Sequence, residues 1–328
     1  MTLAPPPAQV GDGPLEMIHF IGLEPGPRLI VTGAVHGNET CGPNAIARVV
    51  ADLRAGGLAL ARGEVTFLPI CNRRAYRQGT REGTRNLNRD LRDKPVPQDY
   101  EDRIGNALCR LLRAHDVLLD VHSFKGEGPP FVFFGPEDNR GPLEPFAHAR
   151  EEAALATCLG VEVAMHGWLP AYERLHAGRA RLGLPALAPT EGHGTTEYMR
   201  FTGGYGVTLE CGRHDDPASV DVGERAIRAA LAQLGLIDAP APAPSVRRLI
   251  RLDDVILRES DGDRLEGEWR TGDAVAAGAV FARRADGTPV AAPRDGFLVF
   301  PDPKAEIGKG MTYFAVASGR AIPGLAAP

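Results

Sequence analysis

An α/β domain, with a sheet flanked by helices and followed by a small all-β domain, is the fold this sequence predicts. Three observations carry that reading. Short apolar runs alternate with segments of helical periodicity up to about residue 237; a proline-alternating stretch follows; and beyond it only short strand-like runs remain, separated by Gly and Pro.

The runs Leu29–Thr32, Val65–Leu68, Val117–Val121, Phe131–Phe134 and Val207–Leu209 are brief and mostly apolar, as strands covered on both faces must be. Ile46, Val49, Val50 and Leu53 recur at helical spacing, and Gly56-Gly57 supplies a stop. Ile104, Leu108, Leu111 and Leu112 mark a second helix; Ala226, Ile227, Ala230, Leu231 and Leu234 mark a last one, ending at Gly235. Asp238-Ala-Pro-Ala-Pro-Ala-Pro-Ser245 can neither continue a helix nor donate to a sheet ladder, so it reads as a semi-rigid linker. The expected organisation is a catalytic domain over 1–238, a linker over 239–245 and a β domain over 246–328, where Val255–Leu257, Ala279–Phe281 and Gly296–Phe300 are strand candidates.

With 43% hydrophobic and 24% charged residues in 328, the composition is that of an ordinary globular protein with a sizeable core. A formal charge of −5 argues against nucleic acid or an anionic membrane as partner. No apolar run reaches the roughly 18 residues of a membrane span. The opening Met-Thr-Leu-Ala-Pro-Pro-Pro has neither the basic nor the apolar region of a signal peptide. Five scattered cysteines without a Cys-x-x-Cys pair suggest neither a disulfide framework nor a thiolate metal site, and a cytoplasmic protein is expected.

Directly after the first strong strand comes Gly33-Ala-Val-His-Gly-Asn-Glu39. A catalytic zinc site takes three ligands from imidazole and carboxylate and leaves a position for water. His36 and Glu39 supply two from one turn. Leu118-Leu-Asp-Val-His122 ends an apolar strand in a third, with Asp120 on the same strand face as a partner for the imidazole. His115, His148, His166, His176, His193 and His214 rank lower as ligands, because none is expected to end a buried strand.

Seven arginines lie between Arg73 and Arg92. Aromatic interleaving is limited to Tyr76, which disfavours a nucleic-acid patch, and guanidinium forks suit carboxylates, so a small anionic substrate is expected.

Taken in order, His36-Gly-Asn-Glu39, Arg81 ahead of Asn86-Leu-Asn-Arg89, Asp120-Val-His122-Ser and Leu209-Glu210-Cys-Gly resemble the succinylglutamate desuccinylase/aspartoacylase family of carboxypeptidase-A-like zinc hydrolases. The resemblance implies a mixed sheet flanked by helices, zinc carboxypeptidase-like, with the C-terminal β domain beside the active-site mouth. It implies one Zn2+ per chain on His36, Glu39 and His122, with Glu210 as general base and Arg81 polarising the scissile carbonyl. Asn88 and Arg89 correspond to the clamp for a substrate carboxylate, and Arg200 to a further substrate-binding arginine. Two positions depart from the family: Asn86 stands where aspartate is usual, removing a charge that could orient a neighbouring arginine, and Asn72-Arg73 replaces Asn-Pro.

The implied activity is zinc-dependent hydrolysis of the amide of an N-acyl amino acid. The alternative is a metallocarboxypeptidase acting on short peptides with the same clamp. A non-catalytic metal-binding scaffold is disfavoured because it would need neither Glu210 nor Arg81. Glu191 and Glu197, which rival Glu210, are expected in a flexible Gly/Thr-rich loop. The oligomeric state stays open, a homo-oligomer being compatible with the sequence.

Overall fold

The computed structural model describes residues 11–137 and 146–325. The opening residues 1–10, on which the signal-peptide expectation rests, lie outside them.

The elements run β1 (Ile18–Ile21), β2 (Glu24–Gly33), α1 (Cys41–Ala55), β3 (Arg62–Leu68), α2 (Arg73–Gln78), α3 (Tyr100–Arg113), β4 (Val117–Phe124) and β5 (Phe131–Phe133). Then come α4 (Ala149–Cys158), β6 (Val163–His166), α5 (Trp168–Arg181), α6 (Thr195–Phe201), β7 (Tyr205–Arg213) and α7 (Ala218–Gln233). The C-terminal part adds β8 (Arg248–Leu257), β9 (Arg264–Leu265), β10 (Asp273–Val275), β11 (Val280–Arg283), β12 (Pro289–Ala291), β13 (Gly296–Val299) and β14 (Gly310–Ala317).

The sheet is mixed. Strands β3, β2, β4 and β7 run parallel at its heart, while β1 and β5 join antiparallel to β3 and β7. Every residue of β4 is buried, the signature of a strand covered on both faces. On one face α1 and α7 seat Ile46, Val49, Ala226, Ile227 and Leu231 against Leu29, Leu119 and Val207. On the other, α3 and α6 bring Ile104, Leu108, Leu112 and Met199 against Ile30 and Leu118. Gly56 closes α1 at φ +75°, a conformation its missing Cβ permits at little cost.

Residues 239–247 carry no helix or strand. Beyond them β8 pairs parallel with β6, and β14, β13 and β10 follow antiparallel, so these strands extend the same 11-stranded sheet. A separate three-stranded sheet, β12-β11-β9, lies beside it. Strand β8 starts well ahead of the expected Val255, because its first half, Arg248–Arg251, is fixed by the β6 edge rather than by its own periodicity. Strands β1, β6, β9, β10, β12 and β14 and helices α2, α4, α5 and α6 are absent from the sequence reading; β1 and β6, for example, are four residues each, too short for a periodic signal.

No helix among the described residues is long and apolar enough to cross a membrane. All five cysteines are buried and free.

Candidate active site

His36 and Glu39 occupy the turn between β2 and α1, at the carboxyl edge of the parallel strands. The turn fits only as a glycine turn. A Cβ on Gly37 would lie 1.9 Å from the Ala75 carbonyl carbon of α2, and the Gly37 N–H donates to the Arg81 carbonyl at 3.3 Å. Close backbone contact therefore brings the arginine-rich loop over the His36–Glu39 turn. Ala34, just before it, holds φ at +42°, an uncommon conformation for a residue with a Cβ.

His122 arrives from β4, whose register puts Thr32 of β2 beside Asp120. His36, Glu39 and His122 are all buried, with ligand atoms within 4.8 Å of one another. Glu39 Oε1 lies 2.8 Å from His36 Nδ1, and Oε2 lies 2.8 Å from His122 Nδ1. The outer ring nitrogens face acceptors. His36 Nε2 is 3.1 Å from Asn86 Oδ1, and His122 Nε2 is 2.8 Å from Asp120 Oδ2. All four ring nitrogens thus face oxygens. With a proton on each Nε2, both Nδ1 lone pairs and the Glu39 carboxylate converge, an arrangement that needs a positive charge among them.

In the chain alone that charge is a proton. Burial opposes it, but the carboxylates of Asp120 and Glu39 raise the His122 pKa well above the ordinary value. Burial also acts to raise Glu39, yet the two imidazoles hold its carboxyl well below the usual range. His36 goes the other way, down to about 4, through burial and then the Arg81 charge. A divalent cation of borderline softness, such as zinc, fits the same donors: two neutral imidazoles and one carboxylate.

The supports around the ligands are themselves fixed. Asp120 accepts from Thr32 Oγ1 at 2.6 Å and Thr195 Oγ1 at 2.5 Å, so its carboxylate is held on His122. Asn86 Oδ1 also accepts from the Asn88 N–H at 2.9 Å. The Asn86 side chain thus faces a candidate metal ligand. Ser123 donates its N–H to Glu39 Oε2 at 3.1 Å, and its hydroxyl pairs with His214 Nδ1 at 2.8 Å.

Glu210 sits on β7 directly opposite His122 of β4, on the same sheet face. It is buried, and its Oε2 has no hydrogen-bond partner among the described residues. Burial, and then the Glu39 charge, push its pKa up to about 8. Arg81 is exposed, with its guanidinium 3.0 Å from Glu39 Oε1.

Asn88 and Arg89 lie farther along the same cavity. Asn88 Oδ1 accepts from the Thr195 N–H at 2.9 Å, tying the clamp loop to the start of α6. The Arg89 guanidinium rests 5.2 Å from the Trp168 ring and 5.3 Å from the Tyr172 ring. Its hydrogen bond goes to the Asn88 carbonyl at 2.6 Å. Arg200 reaches the cavity wall from α6, where Glu152 (3.0 Å), Glu197 (3.2 Å) and the Gly206 carbonyl (3.1 Å) engage its guanidinium.

Two expectations about rivals change. Glu197 is no loop residue: it belongs to α6, where its carboxylate accepts from the Gly194 N–H at 2.9 Å and pairs with Arg200. The ranking of histidines also rests on a premise that fails for His166, which does end strand β6, though it holds for His214, which lies one residue beyond β7. Both line the cavity, but neither joins the cluster of His36, Glu39 and His122, because β6 lies three strands from β4 and His214 bonds Ser123 instead.

His36, His122, Glu210, Arg81, Asn88, Arg89 and Arg200 line one cavity of about 900 Å³, whose far wall comes from Phe300, Asp302, Lys304 and Tyr313 of the C-terminal part. Phe300 holds φ at +51°, a costly conformation for a bulky residue, and Thr271 Oγ1 accepts its N–H at 3.0 Å.

The catalytic-domain profile of the succinylglutamate desuccinylase/aspartoacylase family matches residues 25–230, well over half of the chain. The chain belongs to that family. Its members are deacylase-type hydrolases, and every residue of the ligand cluster and Glu210 falls inside the matched span.

Solved structures agree with the family fold. The succinylglutamate desuccinylase/aspartoacylase of Rhodobacter sphaeroides is 18% identical, with a TM-score of 0.71 over 93% of this chain and 90% of that one. The ectoine utilization protein of Ruegeria pomeroyi, solved with product bound, is 23% identical, with a TM-score of 0.66 over 92% and 88%. The succinylglutamate desuccinylase of Vibrio cholerae is 20% identical, with a TM-score of 0.68 over 92% and 85%. A search of curated proteins found no match in sequence.

Proposed function

We propose that this family member is a zinc-dependent amidohydrolase that removes the acyl group from an N-acyl amino acid or similar small anionic amide. The observation that carries the reading is the convergence of both Nδ1 atoms on the Glu39 carboxylate, next to a buried Glu210 oxygen with no hydrogen-bond partner among the described residues.

Held by His36, Glu39 and His122, one zinc ion would supply the Lewis acidity that makes water a nucleophile near neutral pH and polarises a carbonyl. The remaining roles belong to the chain. Glu210 takes the proton of the attacking water and returns it to the leaving amine, without which an amide cannot collapse to products. Arg81 faces the carbonyl oxygen and stabilises the negative charge that develops there. Arg89 meets the substrate carboxylate: it is flanked by aromatic rings, and among the described residues no carboxylate pairs with it. Arg200 takes part in substrate binding from the cavity wall, where Glu152 and Glu197 fix its side chain. The proposed partner is this small substrate rather than nucleic acid or membrane, and five buried free thiols support a reducing compartment, the cytoplasm.

The test is a panel of N-acyl amino acids assayed beside short peptides, with metal content measured on the same preparation. Acyl release that disappears on chelation and returns with zinc is the expected result. Release of C-terminal residues from peptides, with every N-acyl amino acid untouched, would reject the deacylase reading in favour of a carboxypeptidase.

A further inference from the structure

The cavity is larger and more apolar than a short dicarboxylic substrate requires. At about 900 Å³ it stands at the upper end of pockets that enclose drug-sized ligands. Its cationic groups are mostly engaged or at the rim. Arg81 and Arg89 lie beside the ligand cluster and the clamp, Arg200 is paired with Glu152 and Glu197, Arg251 is paired with Asp253, and Lys125 and Lys304 are exposed.

Between these charges runs a continuous aromatic wall. Phe124 follows His122 on β4, and its ring centroid lies 6.0 Å from that of Phe300. Phe300 is 6.1 Å from Phe133, Phe133 is 5.4 Å from Trp168, and Trp168 is 5.9 Å from Tyr313. Trp168 in turn carries Arg89. The wall thus joins the metal side of the cavity to the carboxylate clamp, and Phe124, Phe133, Trp168 and Phe300 are all cavity-lining. A ring edge facing a cavity recovers its hydrophobic contact only when something apolar fills the space.

Phe300 is the keystone of this wall. It is delivered by the C-terminal strands, it touches rings from both β4 and β5, and its backbone is held at positive φ by Thr271 and followed by Pro301. Nothing in the β13–β14 connection needs an aromatic residue in the left-handed region; a glycine would meet the backbone requirement without strain. The side chain is what the strain retains.

We infer that the substrate carries a ring-sized apolar group, packed against Phe124, Phe133 and Phe300, and that Phe300 sets the preference for it over small acidic groups. The inference rests on the amidohydrolase reading above. The group belongs to the acyl half or to the amino acid's own side chain, and both present the same chemistry to the wall.

The experiment compares N-acetyl-L-phenylalanine, N-phenylacetyl-L-aspartate and N-acetyl-L-aspartate on the zinc-loaded enzyme and on Phe300→Gly, which relaxes the positive φ while deleting the ring. The expected result is at least a roughly tenfold advantage in kcat/KM for one ring-bearing amide, the scale a hydrophobic pocket can deliver. That advantage should be lost in Phe300→Gly, with the variant still unfolding in one cooperative thermal transition. Preference for N-acetyl-L-phenylalanine places the group on the amine side, and preference for N-phenylacetyl-L-aspartate on the acyl side. An advantage for N-acetyl-L-aspartate, or a ratio that Phe300→Gly leaves unmoved, overturns the inference alone. If no amide is hydrolysed, the amidohydrolase reading fails, and calorimetric binding of the same compounds still decides the wall: equal affinity for ring-bearing and acetyl compounds overturns it.

Discussion

Glu210 and His122 are Cα partners on adjacent parallel strands, so the candidate base and a candidate ligand share one sheet face at the strands' carboxyl edge. The sheet, not a loop, sets their separation, and a rigid scaffold of this kind is what a proton shuttle next to a metal requires.

Glu210→Gln is isosteric and removes the proton acceptor. Turnover should fall by about 100-fold or more, the usual range for general acid–base catalysis, with zinc still bound at one ion per chain. Kinetics alongside metal analysis check this; near-normal turnover would mean another group is the base.

The Glu210 carboxyl, pushed up to about 8 mainly by burial, also makes the metal-free chain pH-sensitive. In an unfolded chain it titrates near 4.3. A folded pKa raised above the unfolded one gives stability that is full below about 4.3 and is lost as pH rises through about 8. Chelator-treated wild type should therefore lose stability relative to Glu210→Gln between about pH 5 and 8, with a slope approaching 1.4 kcal/mol per pH unit. His36, lowered to about 4, has the opposite sign and loses stability as pH falls, but it is common to both proteins and cancels in the comparison. Urea unfolding across that range is the measurement, and a flat difference contradicts the assignment.

Asn86 faces His36 Nε2 at 3.1 Å. Asn86→Ala should weaken zinc binding by about 10–100-fold, as loss of such supporting partners generally does, while Asn86→Asp keeps an acceptor and retains it. Competition against a chromophoric chelator reads both. Equal affinity in wild type and Asn86→Ala would remove Asn86 from the support of the ligand.

Arg89→Ala should raise KM, at a cost of about 2–5 kcal/mol in substrate binding, by removing the partner of a sheltered carboxylate. An unchanged KM excludes Arg89 from the clamp.

Arg200 is buried among Glu152 and Glu197. Arg200→Met strands two carboxylates, so a loss of about 3–5 kcal/mol in unfolding free energy is expected. If instead stability holds and only KM rises, the guanidinium acts on substrate and the ion network is incidental.

Much of this was legible in the amino-acid order. Apolar runs marked the central strands because β4 and its neighbours are covered on both faces, and burial on both faces leaves an unbroken hydrophobic signature. His36, Glu39, His122 and Glu210 could be picked out for a related reason: these candidate ligands and base sit toward or just beyond the ends of those strands, and Gly37 beside His36 is required by close backbone contact.

Other features have no local signature. That Asn86 turns to His36, that Glu197 caps a helix and pairs with Arg200, and that β8 extends the catalytic sheet all depend on partners far away along the chain. The aromatic wall is assembled from positions 124, 133, 168 and 300, each of which reads alone as ordinary core. Sequence by itself determined which chemical groups are present and which strand ends carry them, since periodicity and backbone sterics act over neighbouring residues. Only the tertiary structure decided what those groups face, because cavity shape and the partner of each polar atom are set by contacts between segments whose separation in sequence carries no record of them.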